Sequence, residues 1–294
     1  MNNTLEIIDL CKSYKTKSVL DKVNMVLVEN QITALLGVNG AGKSTTIKCI
    51  TGINNLDHGE IKTFNHRIGV VYDDNGLYLD LTALENMMIF LALIGKKQKE
   101  EALLMLENVG LIDEKDTLVR KFSKGMKRRL AIARMIIFDP DILILDEPFD
   151  GIDVFHHRFL INYLKRWVKN KNKSILFSSH VMSEIEEFGD RIYILKNGKA
   201  ELGCSIEELR MSNIRGIDIK LRFKKDEEKL MNIVDEFDSV HSITNKSGLT
   251  YTLSCNEYVN DKICDYLVNN NILFDEITLV IDTMESIFLN YTEK

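Results

Sequence analysis

No two of the five cysteines, Cys11, Cys49, Cys204, Cys255 and Cys264, are spaced as a C-x-x-C pair, and all sit in apolar or helical-looking context. That argues against a zinc site and a disulfide framework and fits a reduced, cytosolic compartment. Long apolar runs are missing as well. No segment approaches the ~18 uncharged residues of a spanning helix, and the opening MNNTLEIIDL lacks a basic-then-apolar signal pattern. The expectation is a chain that by itself neither spans nor enters a membrane. Nor is there an excess of positive charge: the formal net charge is -6, whereas a general polyanion binder is more often basic. The run RKFSKGMKRR, Arg120 to Arg129, with six basic residues in ten, therefore needs a local explanation. Internal repeats and low-complexity tracts are absent. What remains is an ordinary globular composition, 45% hydrophobic and 28% charged, in 294 residues, enough for one large domain and a small one.

Short β-rich runs from LEIIDLCKSY to ITALLGVNG lead into a glycine cluster, and GKSTTIKCITGI reads as a helix opening on it. From about Thr82 to Phe138 the spacing is helical, and LENMMIFLALIG and KEEALLMLENVG each end at a glycine suited to a C-cap. DILILDEP, SILFSSH and RIYILKNG are apolar runs of the kind found in parallel strands covered on both faces. Strands alternating with helices predict an α/β layered domain. Beyond Gly216 the texture changes: GIDIKLRF alternates, DEEKLMNIVDEF is helical, SITNKSGLTYTLS reads as a hairpin around Asn245 to Gly248, NDKICDYLVNN is helical, and ILFDEITLVI is a last strand before MESIFLNY. The order βαββαβ predicts a small α+β, ferredoxin-like unit.

GVNGAGKST, Gly37 to Thr45, matches G-x-x-x-x-G-K-[ST] in full. Its backbone N–H groups (Gly37, Val38, Asn39, Gly40, Ala41, Gly42) can turn inward around phosphate oxygens while the helix directs its positive end at them. Lys43 then reaches the β and γ phosphates, the Ser44 hydroxyl can ligate Mg²⁺, and Thr45 completes the loop. A merely tight turn is the bland alternative, but a strand before and a helix after favour a nucleotide site. Asp146, at the end of ILILD, is placed to hold the Mg²⁺ shell, and Glu147 to polarise a water in line with the γ-phosphate. Two acids at a strand-to-loop turn are common enough alone; paired with the complete loop they read as the second half of the site. His180 ends another apolar run. A lone histidine is usually structural, yet parallel strands deliver their C-terminal ends to the ligand crevice, so it is expected to bond the γ-phosphate and hold the water with Glu147.

The order P-loop, helical insertion, FSKGMKRRLAIARMIIFDPDILILDEPFDGID and histidine resembles the ATP-binding cassette family over about Leu5 to Leu202. The resemblance implies a P-loop NTPase core with an N-terminal antiparallel β region and a helical subdomain. The expected bounds are residues 1–210 for this domain, about 74–138 for its helical part and 216–294 for an accessory domain like that of bacterial drug-exporter-type subunits. It implies that Tyr14 stacks on adenine, that Ser123 and Gly125 belong to the signature loop (usual pattern LSGGQ), that Asp153 closes the D-loop and that His180 is the switch histidine. ATP and Mg²⁺ would be bound, and hydrolysis would drive a head-to-tail pair of cassettes, a homodimer by expectation. Each cassette would cap the other's ATP with Ser123 and Gly125. A separate transmembrane permease would dock between Asp73 and Gly95 at the cytoplasmic face of the membrane, exporting a drug, peptide antibiotic, lipid or ion.

Two departures stand out. Where the family has Gln in a pattern like IGYLPQ, IGVVYD places Asp73, with Asp74 adjacent; a carboxylate cannot donate a hydrogen bond but is a better hard ligand for Mg²⁺. In the signature loop Phe122, Lys124 and Met126 replace Leu, Gly and Gln. Lys124 either contacts phosphate or points to water. Lys127, Arg128 and Arg129, in a helix's first turn, oppose the macrodipole, which suggests attraction to triphosphate across the dimer. The alternatives are a soluble cassette acting on nucleic acid or translation, though no tandem cassette, coiled-coil insertion or cysteine cluster points there; a GTPase, for which NKNK at Asn170 is a near miss; and a regulatory cassette without turnover. No nucleic acid is expected as partner.

Overall fold

A computed structural model describes residues 2–73, 76–96, 98–212, 217–223, 237, 239–247, 249–255, 260–270 and 272–280. The chain divides into two compact units, Met1–Ile206 and Glu207–Lys294.

The first unit holds two sheets. β1 (Asn3–Tyr14) pairs antiparallel with β2 (Lys17–Val28) on one side, and β3 (Ile32–Leu36) follows into the second sheet. On its other edge β1 pairs antiparallel with β4 (His58–Lys62), which follows α1 (Lys43–Ile50) in the chain. The second sheet has six strands. β5 (Ile68–Val71), β6 (Ile142–Asp146), β7 (Ser174–Ser179), β3 and β8 (Arg191–Lys196) run parallel in that order, and β9 (Lys199–Ser205) pairs antiparallel with β8. Every residue of β3, β6 and β7 is buried, as their unbroken apolar character requires of strands covered on both faces. One core joins Leu5, Leu20 and Leu27 of the small sheet to Ile144 and Leu176 of the large one and to Ile47 of α1. Each such side chain contributes about 1.5–3 kcal/mol of burial.

Between β5 and β6 the chain makes α2 (Ala83–Leu93), α3 (Lys99–Asn108) and α4 (Lys124–Ile137). A capping box, Thr82 with Glu85, opens α2. Both α2 and α3 end in Schellman turns: Lys96 N–H bonds the Leu91 carbonyl and Leu111 N–H the Leu106 carbonyl, each at 2.8 Å, with Gly95 and Gly110 at positive φ as C′ residues. Asn86, fully buried, donates to the carbonyls of Tyr78 and Thr82 and accepts from Tyr78 N–H, all at 2.9 Å, and so anchors the chain leading into α2. After β6 come α5 (Val154–Lys171) and α6 (Met182–Phe188).

α7 (Ile206–Ser212) begins at the division between the units, four residues before the expected end of the first domain. In the second unit β10 (Ile217–Phe223), β11 (Val240–Ser247), β12 (Thr250–Cys255) and β13 (Phe274–Val280) form an antiparallel sheet ordered β11-β12-β10-β13. α8 (Asn260–Asn269) covers it through Ile263 and Leu267, against Leu221 and Leu253. The predicted helix in DEEKLMNIVDEF lies, but for Phe237, outside the described residues, as do Gly248 of the predicted hairpin turn and MESIFLNY.

Candidate nucleotide site

β3 runs out of the sheet centre into Gly37, and the chain turns through Gly42 into α1. A Cβ on Gly37 would lie 2.7 Å from the Leu195 carbonyl, and Gly42 has φ 110°, so the loop's course demands glycine at both. Lys43 is buried; its Nζ donates to the Gly37 carbonyl at 2.7 Å and lies 3.4 Å from Glu147 Oε1. The lysine thus curls back over the loop it belongs to. A cavity of about 260 Å³ opens here. It is lined by Val19, by Asn39, Gly40, Gly42 and Lys43 to Thr45 of the loop, and by Asp73, Asp146 and Glu147. Ala41 instead packs into the core, and its N–H donates within the turn to the Val38 carbonyl at 3.1 Å.

β6 ends in Asp146 and β7 in Ser178 and Ser179, with Asp146 and Ser178 side by side in register. Ser178 is fully buried; its hydroxyl donates to Asp146 Oδ1 at 2.6 Å and accepts from Glu147 N–H at 3.0 Å. One hydroxyl therefore ties together the carboxylate and the backbone of the next acid, at the point where Glu147 turns away from the strand with φ 50°. The Glu147 carboxylate then lies between Lys43 and His180, whose Nδ1 is 3.0 Å from Oε2. Basic, acidic and imidazole groups, scattered over the sequence, are continuous in space.

Ser44 and Asp146, a hydroxyl and a carboxylate that both line the cavity, are the hard oxygen donors Mg²⁺ prefers. No group of three or more His, Cys, Asp or Glu side chains suited to a metal occurs among the described residues. The donor set therefore fits an ion that takes its remaining ligands from phosphate and water, the habit of Mg²⁺ rather than of a metal caged by protein.

Asp73 is on the cavity wall, but one of its oxygens is engaged: Arg128 Nη2 donates to Oδ1 at 2.9 Å and Nη1 to the Tyr72 carbonyl at 2.7 Å. Asp74 lies outside the described residues. The guanidinium of Arg128 is fully buried, and that burial lowers its pKa, with Asp73 the first opposing charge. Arg129 is buried too and donates to the carbonyls of Val109 and Gly110, at 2.6 and 2.8 Å. The expectation that Arg128 and Arg129 present charge to a triphosphate across a dimer is thereby corrected: both point inward and satisfy backbone carbonyls. Lys124 Nζ is 2.6 Å from Asp150 Oδ2, and that bond holds the Asp150 carboxyl below its ordinary range.

The remaining candidates stand apart from the cavity wall. Ser123 caps α4, accepting from Met126 N–H at 3.2 Å. A Cβ on Gly125 would meet the Gly151 carbonyl at 2.4 Å, so the signature turn lies directly on the D-loop. Asp153 caps α5 through His156 N–H, a bond that lowers its pKa. Tyr14, at the end of β1, is 45% exposed, and its hydroxyl receives Asn54 Nδ2 at 2.6 Å. Ser178 and Glu184 were not singled out from the sequence, and Arg128 was read there as a partner of triphosphate rather than of Asp73. The serine doublet before His180, polar at the end of an apolar run, was the available signal for the first.

An ABC transporter family model matches residues 20–150. The bacitracin transport ATP-binding protein of Bacillus licheniformis is 32% identical over 98% of this chain and 97% of its own length. The lantibiotic transport ATP-binding protein SrtF of Streptococcus pyogenes is 36% identical over 66% of this chain and 88% of its own. Among solved structures, an ATP-binding subunit of an ABC transporter superposes with TM-score 0.65 at 29% identity, covering 71% of this chain and 92% of that one. A dimeric ATP-binding cassette in a post-hydrolysis state with ADP and phosphate gives 0.62 at 26%, covering 69% and 98%. With the phosphate loop, the acidic strand end and the histidine gathered on this fold, the chain belongs to the ABC transporter family as one of its ATP-binding subunits.

Proposed function

We propose that this chain hydrolyses ATP and supplies the energy for export through a separate transmembrane permease. The observation that carries this reading is the continuous line Lys43, Glu147, His180 beside Asp146 and Ser44. In it, the Gly37–Thr45 amides and Lys43 hold the phosphates, and Glu147 accepts a proton from the attacking water. His180 orients that water and the γ-phosphate. Ser44 and Asp146 would hold Mg²⁺, which when bound neutralises charge building on the β and γ oxygens; Asp73 offers a further hard oxygen if Arg128 yields it. Tyr14 would stack on adenine.

Ser123 and Gly125 lie outside the cavity wall, which supports their service to a second copy's nucleotide in a head-to-tail pair. ATP then favours the closed pair and its hydrolysis opens it. No helix among the described residues is long and apolar enough to cross a membrane. Exposed Tyr78, Leu79 and Leu93 support docking on the helical part, at the inner face of the membrane. Two of the relatives carry bacitracin and lantibiotic transport in their names, which favours a peptide antibiotic as cargo. Burial of Arg128 and Arg129 removes two of the six positive charges that made a nucleic-acid reading attractive.

Glu147→Gln tests the reading. It is expected to abolish turnover while trapping an ATP-dependent dimer, seen by size-exclusion chromatography with and without ATP. Parent-like hydrolysis by that variant would show the base assignment to be wrong.

A further inference from the structure

We infer that Glu184, acting through the Ser179 hydroxyl, is a positioning residue that holds the turn from Ser179 to Val181 and so aims the His180 ring at Glu147. The inference rests on the reading of Glu147 and His180 as partners in phosphate chemistry.

The His180 side chain is half exposed, so little packing confines its ring; its 3.0 Å approach to Glu147 depends on the backbone that carries it. That backbone is a tight strand-to-helix turn with a weak point. Val181, the residue capping α6, offers no side-chain acceptor to the helix's first N–H groups. The stabilising contact comes from elsewhere. Ser179 Oγ, fully buried, donates to Glu184 Oε2 at 2.6 Å and accepts from Val181 N–H at 3.0 Å. A hydroxyl has a single proton. With that proton committed to Glu184, the lone pairs are left to face Val181, and the residues on both sides of His180 are locked to α6. Without Glu184 the hydroxyl is free to rotate, and the bond to Val181 loses its partner in orientation.

The surroundings of Glu184 agree with a hydrogen-bonding rather than a charge role. Burial pushes its carboxyl up, with Glu147 acting in the same direction, while Ser179, His157 on α5 and His180 oppose the shift. A carboxyl retained there against its desolvation is explained by the bond it accepts.

The test uses the full chain and the variants Glu184→Ala, Glu184→Gln, Ser179→Ala and the double alanine variant. Steady-state ATP hydrolysis is measured alongside ¹⁵N-histidine NMR, with the His180 ring assigned by its loss in His180→Asn. Glu184→Ala and Ser179→Ala are expected to lower kcat roughly ten- to hundredfold with KM for ATP changed less than about twofold, as for a small misplacement of a reacting group. The double variant should be no worse than either, because both act on one turn. Glu184→Gln, whose amide oxygen still accepts from Ser179, should stay within about threefold of the parent. The His180 Nδ1 resonance should shift in both alanine variants and keep its place in Glu184→Gln. Parent-like kcat and ring resonance in Glu184→Ala would overturn the inference, as would Glu184→Gln as impaired as Glu184→Ala. Should the parent itself hydrolyse no ATP, the functional reading fails, and the ring resonances alone decide the positioning role. Far-UV circular dichroism separates a misplaced ring from a lost fold; if Glu184→Ala unfolds, Ser179→Ala against Glu184→Gln gives the decision.

Discussion

Removing one oxygen, Ser178→Ala, should disable the site while leaving every charged residue in it intact. Ser178 has no exposure, and its hydroxyl makes two bonds, one to the Asp146 carboxylate and one from Glu147 N–H. The first is charge-assisted and worth about 1.5–3 kcal/mol net; losing the second leaves a part-buried N–H without its acceptor, about 1–3 kcal/mol. The two share an atom and are not additive, so about 3 kcal/mol in total is the working figure. Urea denaturation followed by circular dichroism reads the stability part as a lower midpoint with an unchanged slope. The functional part follows from the bond's place. Glu147 turns out of the strand at φ 50°, and the bond from its amide to Ser178 helps define that turn. If only half of the figure falls on the transition state, kcat drops about tenfold. A variant losing less than about 1 kcal/mol, with kcat unchanged, would refute the view that this hydroxyl sets the geometry of both acids.

Other perturbations probe separate parts. Gly125→Ala drives a Cβ to 2.4 Å from the Gly151 carbonyl, a backbone atom that cannot swing aside. A loss of about 1–3 kcal/mol in urea denaturation is expected, and none would mean the D-loop yields freely. Asp73→Asn keeps an acceptor for Arg128 but removes the negative charge; the Mg²⁺ concentration for half-maximal ATPase activity should rise several-fold, and an unchanged titration dismisses a metal role for Asp73. The raised pKa of Glu184 has a definite sign in stability. The folded state holds the proton to higher pH than the unfolded chain, so the contribution is full below the unfolded value and falls as pH rises through the folded one. Glu184→Gln removes that loss. Its urea midpoint relative to the parent should therefore improve from acid to neutral pH, and a flat difference across that range would contradict the direction of the shift.

Much of the fold was legible because its determinants are local. A glycine that must adopt φ 110°, the Schellman glycines Gly95 and Gly110 and the unbroken apolar strands all express rules acting over a few residues. The loop proposed to hold phosphate follows a rule of the same local kind, consecutive amides at one helix start. Arg128 and Arg129 were misread, since a run of charge says nothing about which side of a helix the core occupies. In α4 that side takes in both guanidinium groups, and carbonyls from Tyr72, Val109 and Gly110 make their burial tolerable.

By itself, then, the sequence determined the strand, loop and helix proposed to cradle phosphate, and supplied Lys43, Asp146, Glu147 and His180, the residue types such chemistry would need. Only the tertiary structure decided that Asp73 answers to Arg128, that Ser178 ties Asp146 to the turn of Glu147, and that Ser179 ties the His180 turn to Glu184. The first and second of these are contacts between residues 55 and 32 positions apart in the chain. The third spans only five, but its direction follows from how β7 hands over to α6. A hydrogen bond needs a donor and an acceptor about 3 Å apart and aligned, and for these pairs it is the packing of strands and helices, not their spelling, that brings the atoms to that distance.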